Sequence, residues 1–249
     1  MQDKNVLSKT KIKYIQTLGQ KKFRQQEGVF IAEGPKLVKE IWEANAAMVN
    51  DIYALKDWIH SNNKIAGRSA VTEISEIELE KISQLTTPNK VLAVVKQFDT
   101  GSSFIIKGKI TLALECIQDP GNLGTIIRIA DWFGVEQVVC SNDSADIYNS
   151  KVVQATMGSI ARVKVFYTEL EEWLGQQNDV HIYAATLEGK DVATLKKLQE
   201  AIIVFGNESR GISPAILKLA NVRITIPKKG KAESLNAAVA AGIILSHIC

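Results

Sequence analysis

The stretch Ile110–Phe133, ITLALECIQDPGNLGTIIRIADWF, decides how the rest of the chain is read. Ile110 to Ile117 is a nearly continuous apolar run, the pattern of a strand buried on both faces. Gln118-Asp119-Pro120-Gly121-Asn122-Leu123-Gly124 then interrupts it with polar, proline and glycine residues. From Thr125 to Phe133 the apolar residues Ile126, Ile127, Ile129, Ala130 and Phe133 recur at helical spacing. Strand, polar turn and helix make the repeating unit of a parallel sheet, whose ligands sit at the carboxyl ends of the strands. Gly121 and Gly124 let backbone approach such a ligand, and unpaired N–H groups at a helix start favour phosphate.

Working outward, the alternation continues. Strands are predicted at Gln137–Cys140, Val180–Ala185, Ile202–Phe205 and Arg223–Ile226, with helices at Val152–Ile160, Ser213–Ala220 and Ser234–Ile248. Residues 110–249 therefore read as a mostly parallel sheet covered on both faces. Towards the N-terminus, Glu33-Gly34-Pro35 leads into a helix carrying Leu37, Val38, Ile41 and Trp42. Asp51–Leu55 reads as a strand, Ser75 with Glu78 as a capping box, and Val91–Val95 as a buried strand. Residues 1–98 thus form a small α/β domain. Residues 99–109, with Asp99, Thr100, Gly101, Ser102 and Ser103, form the linker. The fold class is α/β, in two domains.

Two further polar segments follow strands. Phe205-Gly206-Asn207-Glu208-Ser209-Arg210-Gly211 is a tight turn, and an ion pair of Glu208 with Arg210 would close it at little gain in stability. Ile226-Pro227-Lys228-Lys229-Gly230-Lys231-Ala232-Glu233-Ser234-Leu235-Asn236 runs into an alanine-rich helix, with Ser234 placed as an N-cap and Asn236 without an obvious capping role. Arg128, among apolar neighbours, suits either snorkelling to water or a site.

Composition narrows the partners only slightly. The 249 residues are 46% hydrophobic with a formal charge of +3, an ordinary globular balance. Charge is concentrated near the N-terminus, where Lys4, Lys9, Lys11, Lys13, Lys21, Lys22 and Arg24 face only Asp3. Such a run is usually a solvated helix face, and alternatively tracks phosphates. Cys116, Cys140 and Cys249 form neither a disulfide framework nor a zinc pattern, and they fit a reducing cytoplasm. There is no signal-peptide pattern and no apolar run of about 18 residues, so no membrane partner is expected. Dinucleotide, P-loop and hydrolase-elbow motifs are missing, and His60, His181 and His247 lie apart without acidic or cysteine neighbours, so no metal site is expected.

Taken together, Asn122-Leu-Gly-Thr-Ile-Ile-Arg128, Phe205-Gly-Asn-Glu-Ser-Arg-Gly211, and Ile226-Pro227 followed by Ser234-Leu-Asn236 and Ala237–Gly242 resemble the SPOUT RNA methyltransferases, specifically the SpoU (TrmH-like) ribose 2′-O-methyltransferases. Order and spacing agree from Ile110 to Cys249. Lys22-Phe23-Arg24 leading to Phe30-Ile-Ala-Glu33-Gly34 is similar to that family's N-terminal substrate-binding domain, a ribosomal-protein-like RNA-binding module. The resemblance implies a C-terminal trefoil-knot methyltransferase domain, a homodimer, S-adenosylmethionine as cofactor and RNA as substrate, rRNA before tRNA, with no DNA. It implies catalytic roles for Arg128, Asn122, Glu208, Ser234 and Asn236, and cofactor binding around Thr186, Leu187, Gly206, Ile226 and Leu235. Ala238 departs from the serine common in relatives. The alternatives are a tRNA 2′-O-methyltransferase and a non-catalytic RNA-binding or ribosome assembly factor.

Overall fold

The computed structural model describes residues 7–99, 101 and 105–249. Lys4 of the basic N-terminal run, and Thr100 and Ser102–Phe104 of the expected linker, lie outside the described residues. In chain order the elements are α1 (Lys9–Thr17), α2 (Lys21–Glu27), β1 (Val29–Glu33), α3 (Pro35–Ala44), β2 (Val49–Ala54), α4 (Lys56–Ser61), α5 (Asn63–Ala66), β3 (Val71–Glu73), α6 (Glu76–Ile82) and β4 (Val91–Lys96). Next come β5 (Ile110–Leu114), α7 (Pro120–Trp132), β6 (Gln137–Ser141), α8 (Ser150–Thr156), β7 (Lys164–Thr168), α9 (Leu170–Gly175), β8 (Ile182–Asp191), β9 (Ala201–Phe205), α10 (Pro214–Leu219), β10 (Val222–Thr225) and α11 (Ala237–Ile248). The chain forms two compact units. One comprises the described part of Met1–Asp99 with Tyr148–Ala161, and the other comprises Thr100–Ile147 with Arg162–Cys249.

The first unit is built on a four-stranded sheet of order β1-β4-β2-β3, antiparallel except for the β2–β3 pair. Leu18, Ile31, Leu79, Ile82, Leu92 and Val94 form its core. The basic run folds as α1 and α2, with Lys9, Lys13, Lys21 and Lys22 exposed. Arg24, by contrast, is buried, and its Nη1 donates to the carbonyls of Leu18 and Gly19 at 2.9 and 2.8 Å. One cation of the run therefore holds the α1–α2 turn rather than facing water. The segment Tyr148–Ala161 joins this unit through stacking of Tyr148 on Phe30 at 4.9 Å and through Gln154 Nε2 donating to Glu33 O at 2.8 Å.

The expected capping box is present. Ser75 Oγ accepts from Glu78 N, and the Glu78 carboxylate accepts from Ser75 N at 2.9 Å and from Leu7 N at 2.6 Å. Burial acts to raise the Glu78 pKa, but those hydrogen bonds outweigh it and hold the carboxyl below its ordinary value of 4.5. A depressed carboxyl stabilises the fold above its unfolded value, and this contribution is lost as pH falls through the folded value. Glu78→Gln should therefore cost about 1 kcal/mol in urea denaturation at neutral pH. The difference from wild type should shrink in acid below 4.5; an equal deficit at both pH values would contradict this account.

The second unit carries a six-stranded, all-parallel sheet of order β10-β8-β9-β5-β6-β7. Its central strands are the apolar runs of the sequence: all five residues of β9, Ala201–Phe205, are buried. Burying each such Ile, Val or Leu side chain contributes roughly 1.5–3 kcal/mol. Three strands lie where no strand is expected from the sequence: β1, β3 and β7. β3 spans only three residues and β7 is an edge strand paired to β6 alone, so neither needs a strong apolar pattern. After edge strand β10 the chain returns across the sheet and α11 packs on α7, with Gly242 lying against Ile129. No helix among the described residues is long and apolar enough to cross a membrane.

Candidate functional site

The site is built where β5 ends and α7 begins. Asp119 is the N-cap, with its side chain accepting from Asn122 N at 2.8 Å, and Pro120 supplies the preset first helical turn. The helix therefore starts at Pro120, five residues before the expected Thr125, and Gly121 and Gly124 lie inside it rather than in an open loop. Because the Asn122 backbone N–H is already capped, its side chain is available to other segments. Its Nδ2 donates to Glu208 Oε1 at 2.7 Å, and its Oδ1 accepts from Asn236 Nδ2 at 2.8 Å.

Asn236 explains why this relay has a direction. It is the N-cap of α11, with Oδ1 accepting from Ala238 N at 2.9 Å and Val239 N at 3.3 Å. Ser234 does not cap the helix as expected; it is exposed, and the helix begins three residues later. With Asn236 Oδ1 committed to two backbone donors, only its Nδ2 can face Asn122, and Asn122 must then turn its own Nδ2 to the Glu208 carboxylate. Three side chains separated by 86 and 114 residues in sequence are thereby aligned.

Glu208 is held from below. Asn207 Oδ1 accepts from Ser209 N at 2.9 Å and Arg210 N at 3.1 Å, while its Nδ2 donates to Cys116 O at 2.9 Å. Asn207 and Gly211 exchange backbone hydrogen bonds of 3.1 and 2.8 Å. Gly206 is forced by this closure, since a Cβ there would stand 2.3 Å from the Gly211 carbonyl carbon. The expected Glu208–Arg210 ion pair is not formed: Glu208 bonds Asn122, and Arg210 Nη2 lies 3.1 Å from Cys116 Sγ. Burial, then the neighbouring Asp143 carboxylate, push the Cys116 thiol up, so it is a poor nucleophile and serves as an anchor for the turn. The anchoring role of Asn207 has a sequence signal, an Asn opening a glycine-closed turn; that of Cys116 has none.

A second group forms at the end of β8. Pairing of β10 jumps from Arg223–Ala184 to Ile224–Lys190, so Ala185–Gly189 bulges out of the strand. Thr186 and Leu187 sit in this bulge, which Thr225 Oγ1 pins by donating to Leu187 O at 3.0 Å. Gly189 is required there, because a Cβ would stand 2.6 Å from Arg223 O. Leu187 is 72% exposed and Leu235 47% exposed, unusual for leucines and suited to an apolar ligand. Ile226 directly follows pinned Thr225, and Gly206 directly follows β9. Arg128 is exposed on α7 and makes no hydrogen bond or ion pair with the described residues. The structure thus joins Asn122, Glu208 and Asn236 directly, joins the Leu187 bulge to the end of β10, and leaves Arg128 and Ser234 unengaged.

Comparison with known proteins identifies the family. Residues 109–246 match the model of the SpoU rRNA Methylase family, and residues 9–93 match an MRM3-like substrate binding domain. The chain is 29% identical over 241 residues to the 23S rRNA (guanosine(2553)-2′-O)-methyltransferase RlmP of Bacillus subtilis, covering 96% of this chain and 95% of that protein. A solved TrmH-family structure from Porphyromonas gingivalis superposes with a TM-score of 0.85 at 35% identity, covering 98% of both chains. The AdoMet-bound rRNA methyltransferase of Sinorhizobium meliloti superposes with a TM-score of 0.82 at 29% identity, covering 97% of this chain and 95% of that one. Fold and site accordingly define an RNA methyltransferase that uses S-adenosylmethionine. The chain belongs to the SpoU rRNA methylase family, and the return of α11 onto α7 is consistent with the trefoil knot of the SPOUT fold.

Proposed function

We propose that this protein methylates a ribose 2′-hydroxyl of 23S rRNA. The observation that carries the reading is the Asn236–Asn122–Glu208 relay, which a protein that only binds RNA does not need. Similarity to RlmP over nearly both whole chains supports the choice of position and substrate. Residues 1–98 serve as the RNA-binding domain, 99–109 as linker and 110–249 as the methyltransferase domain.

The cofactor supplies a methyl group on a sulfonium. Main-chain groups around Thr186, Leu187, Gly206, Ile226 and Leu235 would hold it, and the exposed Leu187 and Leu235 would offer it apolar surface. The chain also holds the ribose in line with that methyl, and this ordering is a large share of such catalysis. Arg128 acts on the developing charge. Its guanidinium stays protonated, so it stabilises the 2′-alkoxide or grips the adjacent phosphate rather than removing a proton. Asn122, Glu208, Ser234 and Asn236 orient the ribose and its phosphate towards Arg128, to which none of them is hydrogen-bonded. The protein works as a cytoplasmic homodimer. Trp132, 84% exposed on α7, and Val239, 50% exposed on the adjoining α11, supply apolar surface for a second copy.

The test is incubation with radiolabelled S-adenosylmethionine and total RNA from a strain lacking the gene. Label mapped to one 2′-hydroxyl of 23S rRNA is the expected result. Label in tRNA would overturn the substrate, and cofactor binding without label would favour an assembly factor. Asn236→Asp separates relay from cap: it keeps the capping oxygen but removes the donor to Asn122. Thermal stability should stay within about 0.5 kcal/mol of wild type. Turnover should fall at least ~10-fold through loss of positioning, and unchanged turnover would remove the relay from the mechanism.

A further inference from the structure

Between its two pinned ends, the chain linking β10 to α11 is exposed without a break from Pro227 to Asn236. One end is held by the Thr225–Leu187 hydrogen bond and the other by Asn236 on Asn122, so the segment is strung from the bulge group to the relay. Three of its residues are cations, Lys228, Lys229 and Lys231, against one acid, Glu233. None of the three makes a hydrogen bond or ion pair with the described residues. Three like charges within four residues repel one another, and no carboxylate among the described residues pairs with them. The cap and pin at the segment's ends are complete without them, so they do not serve the fold.

We propose that Lys228, Lys229 and Lys231 form a phosphate rail that holds the RNA strand flanking the target nucleotide. Resting on the functional reading above, this assigns the binding of the strand beside the reacting ribose to a specific segment. Lys228 and Lys231 are three residues apart in a segment that bends at Gly230 and Lys231, so their backbones stand at most about 10 Å apart, and their long side chains reach neighbouring phosphates. Lysine suits this task as a mobile point charge that releases condensed counterions without reading sequence. The lysines position substrate and do not touch the reacting atoms. Their loss raises KM and leaves turnover at saturating RNA in place.

The experiment compares wild type, K228Q/K229Q/K231Q and K228R/K229R/K231R on an unmodified 23S rRNA transcript. RNA affinity is measured across a salt series, with cofactor affinity and methyl transfer followed in parallel. For three lost contacts to single-stranded RNA, the log–log salt slope should become shallower by about 2. Raising salt from about 50 to about 200 mM would then weaken wild type ~20-fold more than the glutamine variant. The arginine variant should restore the slope. Equal slopes for wild type and the glutamine variant would overturn the rail, as would a loss of cofactor affinity, which would assign the lysines to the cofactor's carboxylate. A wild type that never methylates the transcript removes the functional reading, while the slope difference judges the lysines by itself.

Discussion

Arg128→Ala is expected to lower turnover by about 10²–10³-fold, the usual cost of removing one donor aimed at developing negative charge. Cofactor affinity should be unchanged, because Arg128 belongs to α7 and not to the segments assigned to the cofactor. Stability should also hold to within about 0.5 kcal/mol, as for surface substitutions without partners. The side chain is exposed and engages none of the described residues, so the fold loses nothing when it is truncated. Arg128→Lys should recover only part of the rate, since an ammonium keeps the charge but not the planar fork that grips two oxygens. Single-turnover methyl transfer and cofactor titration, on the same samples, check this. Full turnover by the alanine variant would remove Arg128 from the catalytic set.

The second large effect is expected at Gly206. A Cβ there would stand 2.3 Å from Gly211 C, 2.4 Å from Gly211 O and 2.4 Å from Ile212 N, all backbone atoms that cannot swing aside. Gly206→Ala must therefore open the turn that carries Glu208. Overpacking of this kind costs typically about 1–3 kcal/mol. Displacing Glu208 from Asn122 by about 1 Å should cost a further 10²-fold or so in rate. Gly211→Ala is the matched comparison. It sits at φ +67 with nothing within 4 Å of the added Cβ, so it meets backbone strain alone, of order 1 kcal/mol. Melting temperature and turnover should both rank Gly206→Ala well below Gly211→Ala; equal losses would show that crowding at Gly206 is not what shapes the loop.

Much of the site was legible because its parts are local. The run Ile110–Ile117 breaks into a polar, glycine-bearing turn and then a helix pattern, and the run around Ile202–Phe205 is apolar enough to be a buried strand wherever it is placed. Yet the helix start was set five residues late, because the two glycines of the first turn weigh against helix when taken by propensity alone. Ser234 looked the better cap than Asn236. The choice fell to Asn236 because the same amide also bonds Asn122, a partner 114 residues away. The buried Arg24 gave no sign of its role either, since a cation in a basic run reads as solvated until the carbonyls it serves are seen.

By itself, the sequence determined the α/β class, the order of most strands and helices, and the three motif segments of the SpoU family. The class and the element order follow from period, caps and turn chemistry, which act over a few residues, and the motif segments from their resemblance to that family. Only the tertiary structure decided that β8 bulges at Ala185–Gly189, that Cys116 anchors the Glu208 turn, and that Tyr148–Ala161 packs with the first unit. It alone aligned Asn236, Asn122 and Glu208. The physical reason is that hydrogen-bond direction and close backbone approach depend on partners brought together by the sheet, and no local pattern encodes which distant group will be there.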